Sequence, residues 1–137
     1  MRLLATLILA GTASLWTAFA QDTESNMSCV ERLQMPLYPP LAAAARISGS
    51  VTATVLVASD GSIQTTFSSG THPLLSPAVD YALRASSFRK SCGVKSITLV
   101  FNFVLSEYYP DGRLQGVSFG YPNQFWISVL PPTPIFN

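Results

Sequence analysis

The chain has 137 residues with eight Lys plus Arg, seven Asp plus Glu and a single His, too little charge of either sign to attract nucleic acid or an anionic membrane. Charged residues make up 11% of the sequence and never run beyond two in a row, so no acidic or basic tail offers an interaction segment, and solubility rests on Ser, Thr, Asn and Gln. A chain of this length makes one domain with a modest core.

Residues 1 to 20 have the three parts of a secretory signal: Arg2, an apolar stretch from Leu3 to Leu15, and the small-x-small triplet Ala18-Phe19-Ala20 ahead of Gln21. A retained membrane anchor is the alternative, since a bilayer span needs about 20 apolar residues, but Thr6, Thr12, Ser14 and Thr17 dilute this stretch. Cleavage after Ala20 is therefore expected, and loss of Arg2 leaves a neutral chain with seven charges of each sign. Gln21 to Ser28 is polar and without periodicity, the start of a short flexible leader that spans residues 21 to 37. Cys29 and Cys92 both lie in the exported part, where an oxidising compartment favours a disulfide, and they lack the Cys-x-x-Cys spacing of a redox pair.

Tyr38-Pro39-Pro40 opens a short alanine-rich helix over Leu41 to Arg46, closed by Ile47-Ser48-Gly49. Ser50 to Val57 alternates Val51, Ala53, Val55 and Val57 with Thr52 and Thr54, the period of a strand with one buried face. Ser59-Asp60-Gly61-Ser62 is a tight turn, and the extended pattern resumes at Ile63 to Phe67, so residues 50 to 69 make a hairpin. Ser76 is expected to cap a second helix running to about Ser87, with Pro77 in its first turn, Val79, Ala82, Leu83 and Ser86 on one face, and Asp80 four residues before Arg84 and able to pair with it. A third strand spans Val94 to Glu107, with Ile97, Leu99, Phe101, Phe103 and Leu105 on its apolar side. Residues 108 to 137 form an aromatic and proline-rich extension that includes Tyr108, Tyr109, Phe119, Tyr121, Phe125, Trp126 and Phe136. Strands fit at 114 to 119 and 124 to 130, and docking of the tail on the body is favoured over ordering by a partner.

Residues that carry chemistry are sparse. His72 is the single histidine, so a multi-histidine metal site is excluded, and Cys29 and Cys92 lack the third and fourth ligands of a zinc site. Ser, His72 and Asp80 make a catalytic set on paper only, without a Gly-x-Ser-x-Gly or any mutual spacing. The phosphate-cradling glycine fingerprints are missing. These absences point away from an enzyme, with a small exported hydrolase as the minority alternative, and no cofactor or metal is expected.

Tyr38-Pro39, Ile47-Ser48-Gly49-Ser50-Val51, Asp60-Gly61-Ser62-Ile63, Ser69-Gly70, Pro73-Leu74-Leu75, Ala82-Leu83-Arg84-Ala85 with Phe88, Gly93 and Phe101-Asn102-Phe103 follow one another in an order and spacing that resembles the C-terminal domain of TonB-type energy transducers. The resemblance covers about residues 38 to 105, with the domain taken as 38 to 107. It implies an α+β fold in which two helices pack on a three-stranded antiparallel sheet, and a binding role in the periplasm. It also implies that a protein or peptide partner, such as an outer-membrane receptor, adds as a strand beside the last strand of the sheet. The corresponding partner-binding edge is Ser96, Thr98, Val100, Asn102 and Val104. A homodimer is left open. An energy transducer needs a retained anchor and a long spacer, whereas this chain has a cleavage pattern and a leader of under twenty residues. The expected function is accordingly an exported binding module, with an inner-membrane-anchored transducer component of outer-membrane transport as the alternative.

Overall fold

The structure, a computed structural model, describes residues 26–107 and 115–133. The expected export signal of residues 1 to 20, the start of the leader and the aromatic residues Tyr108, Tyr109 and Phe136 lie outside the described residues. Seven strands and two helices follow in order: β1 (Val30–Arg32), α1 (Pro40–Ala44), β2 (Gly49–Val57), β3 (Ile63–Gly70), α2 (Ser76–Arg84), β4 (Ser87–Phe88), β5 (Lys95–Leu105), β6 (Gln115–Gly120) and β7 (Gln124–Val129). The main sheet has five strands in the order β3-β2-β5-β7-β6, and β1 and β4 form a separate two-stranded ladder. The fold is α+β but rich in strand, and the expectation of two helices on three strands is overturned. The three strands read from the 38 to 107 region are present, but β7 and β6 extend the sheet beyond them.

The alternating residues behave as their period dictates. Val51, Ala53, Val55 and Val57 of β2 and Ile97, Leu99, Phe101 and Phe103 of β5 are all buried. Antiparallel register sets Val51 opposite Phe101 and Val55 opposite Ile97, so these residues make one continuous apolar surface. β7 then runs parallel to β5 and sets Phe125 beside Phe101 and Ile127 beside Phe103. Phe125 and Ile127 are buried in the same core as the β2 and β5 residues. Residues 115–129 of the tail are thus part of the sheet and its core, docked on the body.

Both helices cover this apolar face. α1 presents Ala42 and Ala43, small enough to lie close, and α2 presents Val79, Ala82 and Leu83. At the end of α1, Ile47 N–H reaches Ala42 O at 2.8 Å and Arg46 N–H reaches Ala43 O at 3.1 Å, with Arg46 at a φ of 55°. This is a Schellman closure that usually takes glycine. Ser76 is the first residue of α2 and makes no side-chain cap. Leu75 occupies the cap position instead, because its fully buried side chain fixes where the helix starts.

The leader is more structured than its polar composition suggests. Cys29 is disulfide-bonded to Cys92 across 63 positions, with Cα atoms 5.8 Å apart. Arg89 N–H donates to Cys29 O at 2.8 Å and β1 pairs with β4, so residues from about 26 are held against the exit of α2. Tyr38 then sets its ring edge-on to Phe103 at 5.3 Å, and its hydroxyl donates to Ile47 O. Burial pushes the Tyr38 phenol pKa up.

Candidate functional site

Ser96, Thr98, Val100, Asn102 and Val104 share one face of β5, the side away from the helices, as their spacing of two requires. Their expected role as a free edge does not survive the topology. β2 pairs along one flank of β5 from Lys95 to Phe103, and β7 pairs along the other from Val100 to Leu105. Val100 N–H donates to Asn123 O at 3.0 Å, and Asn123 Nδ2 donates to Thr98 O at 2.8 Å, so the turn before β7 continues the cover. Side chains are engaged as well. Ser50 Oγ donates to Asn102 Oδ1 at 2.7 Å, and Asn102 Nδ2 reaches Gln124 Oε1 and Phe125 O, each at 3.4 Å. From Ser96 to Ser106 there is neither a charge nor a proline, the devices that protect exposed edges, but the edge strands β3 and β6 lack them too, so this alone does not mark β5 as covered.

The edges of the sheet are β3 and β6. β3 is eight residues long and also has no charge and no proline. Its turn is set by Asp60, whose carboxylate accepts Ser62 N–H at 2.9 Å, and by Gly61 at a φ of 83°, where a Cβ would lie 2.6 Å from Phe88 O. Hydrogen bonds from the Ser62 hydroxyl and backbone, with the more distant Lys90 charge, lower the Asp60 pKa. α2 lies over the inner face of β3, and Ser68 Oγ donates to Asp80 Oδ1 at 2.8 Å.

Between the start of β3 and the exit of α2 lies a groove of about 630 Å³, lined by Ile63, Gln64, Thr66, Arg84, Ser86 and Ser87. Arg84 is exposed there, and the expected Asp80–Arg84 pair is replaced by the Ser68–Asp80 hydrogen bond. A second, more apolar groove of about 360 Å³ lies between residues 34–37 and α2, with Leu37 and Tyr81 exposed at its rim.

The residues of the paper catalytic set have local partners. His72 Nδ1 accepts Leu74 N–H at 3.2 Å, and Asp80 takes the Ser68 hydroxyl. Among the described residues no group of three or more His, Cys, Asp or Glu is arranged to hold a metal ion, and no helix is long and apolar enough to cross a membrane. No protein-family model matches this chain, and no curated protein matches it in sequence.

Proposed function

We propose that the chain is an exported protein-binding module that takes up an extended segment of a partner as an added strand beside β3. The observation that carries this reading is the β3 edge. Eight uncharged, proline-free residues pair with β2 on one side only among the described residues, and the groove of about 630 Å³ lies beside them. Unpaired backbone groups on such an edge supply affinity, and alternate side chains of the added strand supply selectivity. Gln64, Thr66 and Ser87 offer hydrogen bonds in the groove, and Arg84 favours a segment that carries a carboxylate.

The signal-like residues 1 to 20 support export to the periplasm, and the resemblance of residues 38 to 105 to TonB-type C-terminal domains supports strand addition from a receptor segment. β7 occupies the flank of β5 that this resemblance nominated, which moves the receiving edge to β3. Hydrogen exchange tests the reading. Amides within Ile63–Gly70 are expected to gain protection when receptor-derived peptides bind, and binding that leaves them unchanged would overturn it. N-terminal sequencing of the exported protein is expected to begin at Gln21, and a start at Met1 would favour the anchored transducer instead.

A further inference from the structure

The other edge, β6, differs from β3 in what it exposes. Val117 is 48% exposed and Phe119 55%, and Tyr121, just past the strand, is 86% exposed. Register sets Val117 opposite Ile127 and Phe119 opposite Phe125, so these odd-numbered residues lie on the face that carries the core. The rings form a row across three strands: Phe101 stacks on Phe125 at 5.4 Å and Phe119 meets Phe125 at 5.1 Å. Phe101 and Phe125 are buried. The row therefore begins in the core and ends in solvent at an edge without charge or proline, the combination that marks a pairing surface.

The opposite face of β6 is made of Gly116, Ser118 and Gly120. Gly120 has no room for a side chain, because a Cβ there would collide with Cζ3 and Cη2 of Trp126, whose ring lies across the strand. Anything that pairs with β6 must leave space for that indole as well.

We propose that β6 pairs antiparallel with β6 of a second copy about a two-fold axis through Ser118, joining two five-stranded sheets into one. A self-paired strand has few registers to choose from. An odd shift turns Phe119 onto the glycine face, because side chains alternate, so only even registers keep the two apolar rows together. Centring on Ser118 sets Val117 opposite Phe119 of the second copy, and Gly116 opposite Gly120 of the second copy. The indole above Gly120 then faces a residue with no side chain, which the strand itself provides. Gln115–Gly120 contains no charge, and the chain cut after Ala20 is neutral, so like-charge repulsion does not oppose the pairing. An isologous contact of this kind closes as a dimer and leaves both β3 edges open for the proposed partner.

The test uses the full exported protein. Sedimentation equilibrium is expected to show a dimer, and Phe119→Lys, which sets a charge into the apolar row, is expected to weaken it at least tenfold. Ser118→Cys is expected to give a covalent dimer under mild oxidation, because directly opposed residues of antiparallel strands lie about 4.5–5.5 Å apart at Cα, within the span of a disulfide. Val117→Cys is expected to cross-link far less, since its own copy is not opposite. A monomer at every concentration up to about 0.5 mM overturns the proposal. So does a failure of Ser118→Cys to cross-link, whatever Phe119→Lys does to the fold.

Discussion

Replacing Ile127 by Ala measures how firmly β7 belongs to the domain. Ile127 is fully buried on a strand flanked by β5 and β6, beside Phe103 and opposite Val117. Burial of an isoleucine contributes about 1.5–3 kcal/mol, and the cavity left by truncation raises the cost of an Ile→Ala change to about 2–5 kcal/mol. With strands on both sides to hold the cavity open, the upper half of that range applies, about 3.5–5 kcal/mol. Against a total stability of about 5–15 kcal/mol this is a large share. With a urea slope of about 1–3 kcal/mol/M, the midpoint is expected to fall by roughly 1 M or more. Trp126 lies on β7 itself and the other tryptophan, Trp16, lies in the segment 1–20 that is expected to be cleaved, so in the chain beginning at Gln21 fluorescence reports on β7 while far-UV circular dichroism reports on the whole sheet. The two transitions are expected to coincide. A cost below about 1 kcal/mol, or a fluorescence transition that precedes loss of the sheet, would show that β7 is a detachable cover and refute the placement of the tail in the core.

Removing the disulfide with Cys29→Ala and Cys92→Ala together frees a loop of 63 positions and is expected to cost about 4 kcal/mol in the chain-entropy account, read as a lower urea midpoint. Arg46→Gly is expected to raise stability by about 0.5–1 kcal/mol, since a left-handed backbone costs an L residue about 1–2 kcal/mol and glycine returns part of that as chain entropy. Equilibrium unfolding checks it. The Asp60 pKa is lower in the folded state than in the unfolded one, so the fold favours the ionised carboxylate. Its contribution is present above the ordinary aspartate range and is lost as pH falls through the lowered folded value, and a carboxyl NMR titration of wild type against Ser62→Ala should show the pKa return upward in the variant.

Elements set by local period were legible from the sequence. Val51, Ala53, Val55 and Val57 announce β2, Asp60-Gly61 announces the hairpin turn, and Cys29 and Cys92 were the available pair. The pattern also admitted strands close to β6 and β7. Where those strands go was not legible, because a parallel partnership between Val100–Leu105 and Gln124–Val129 leaves no mark in the spacing of either segment. That is why β5 was read as the edge and the sheet as three-stranded. The start of α2 was misread for a related reason: burial of Leu75, a tertiary effect, outweighed the capping preference of Ser76. The structured leader escaped notice because three residues of β1 are too few for a period, and Val30 and Phe88 meet only through the disulfide and the exit of α2.

The strand order also sets a timetable. β7 is the last described strand in the chain, yet it lies inside the sheet, between β5 and β6. A chain emerging N-terminus first has made every residue of β5 before the strand that covers its flank exists. Until residues near Val129 are out, Phe101 and Phe103 sit on a strand that carries no charge beyond Lys95 and has one side bare, the kind of surface that nascent chains use to aggregate. The domain therefore cannot finish folding before residues near Val129 have emerged, and until then the flank of β5 that β7 later covers stays bare.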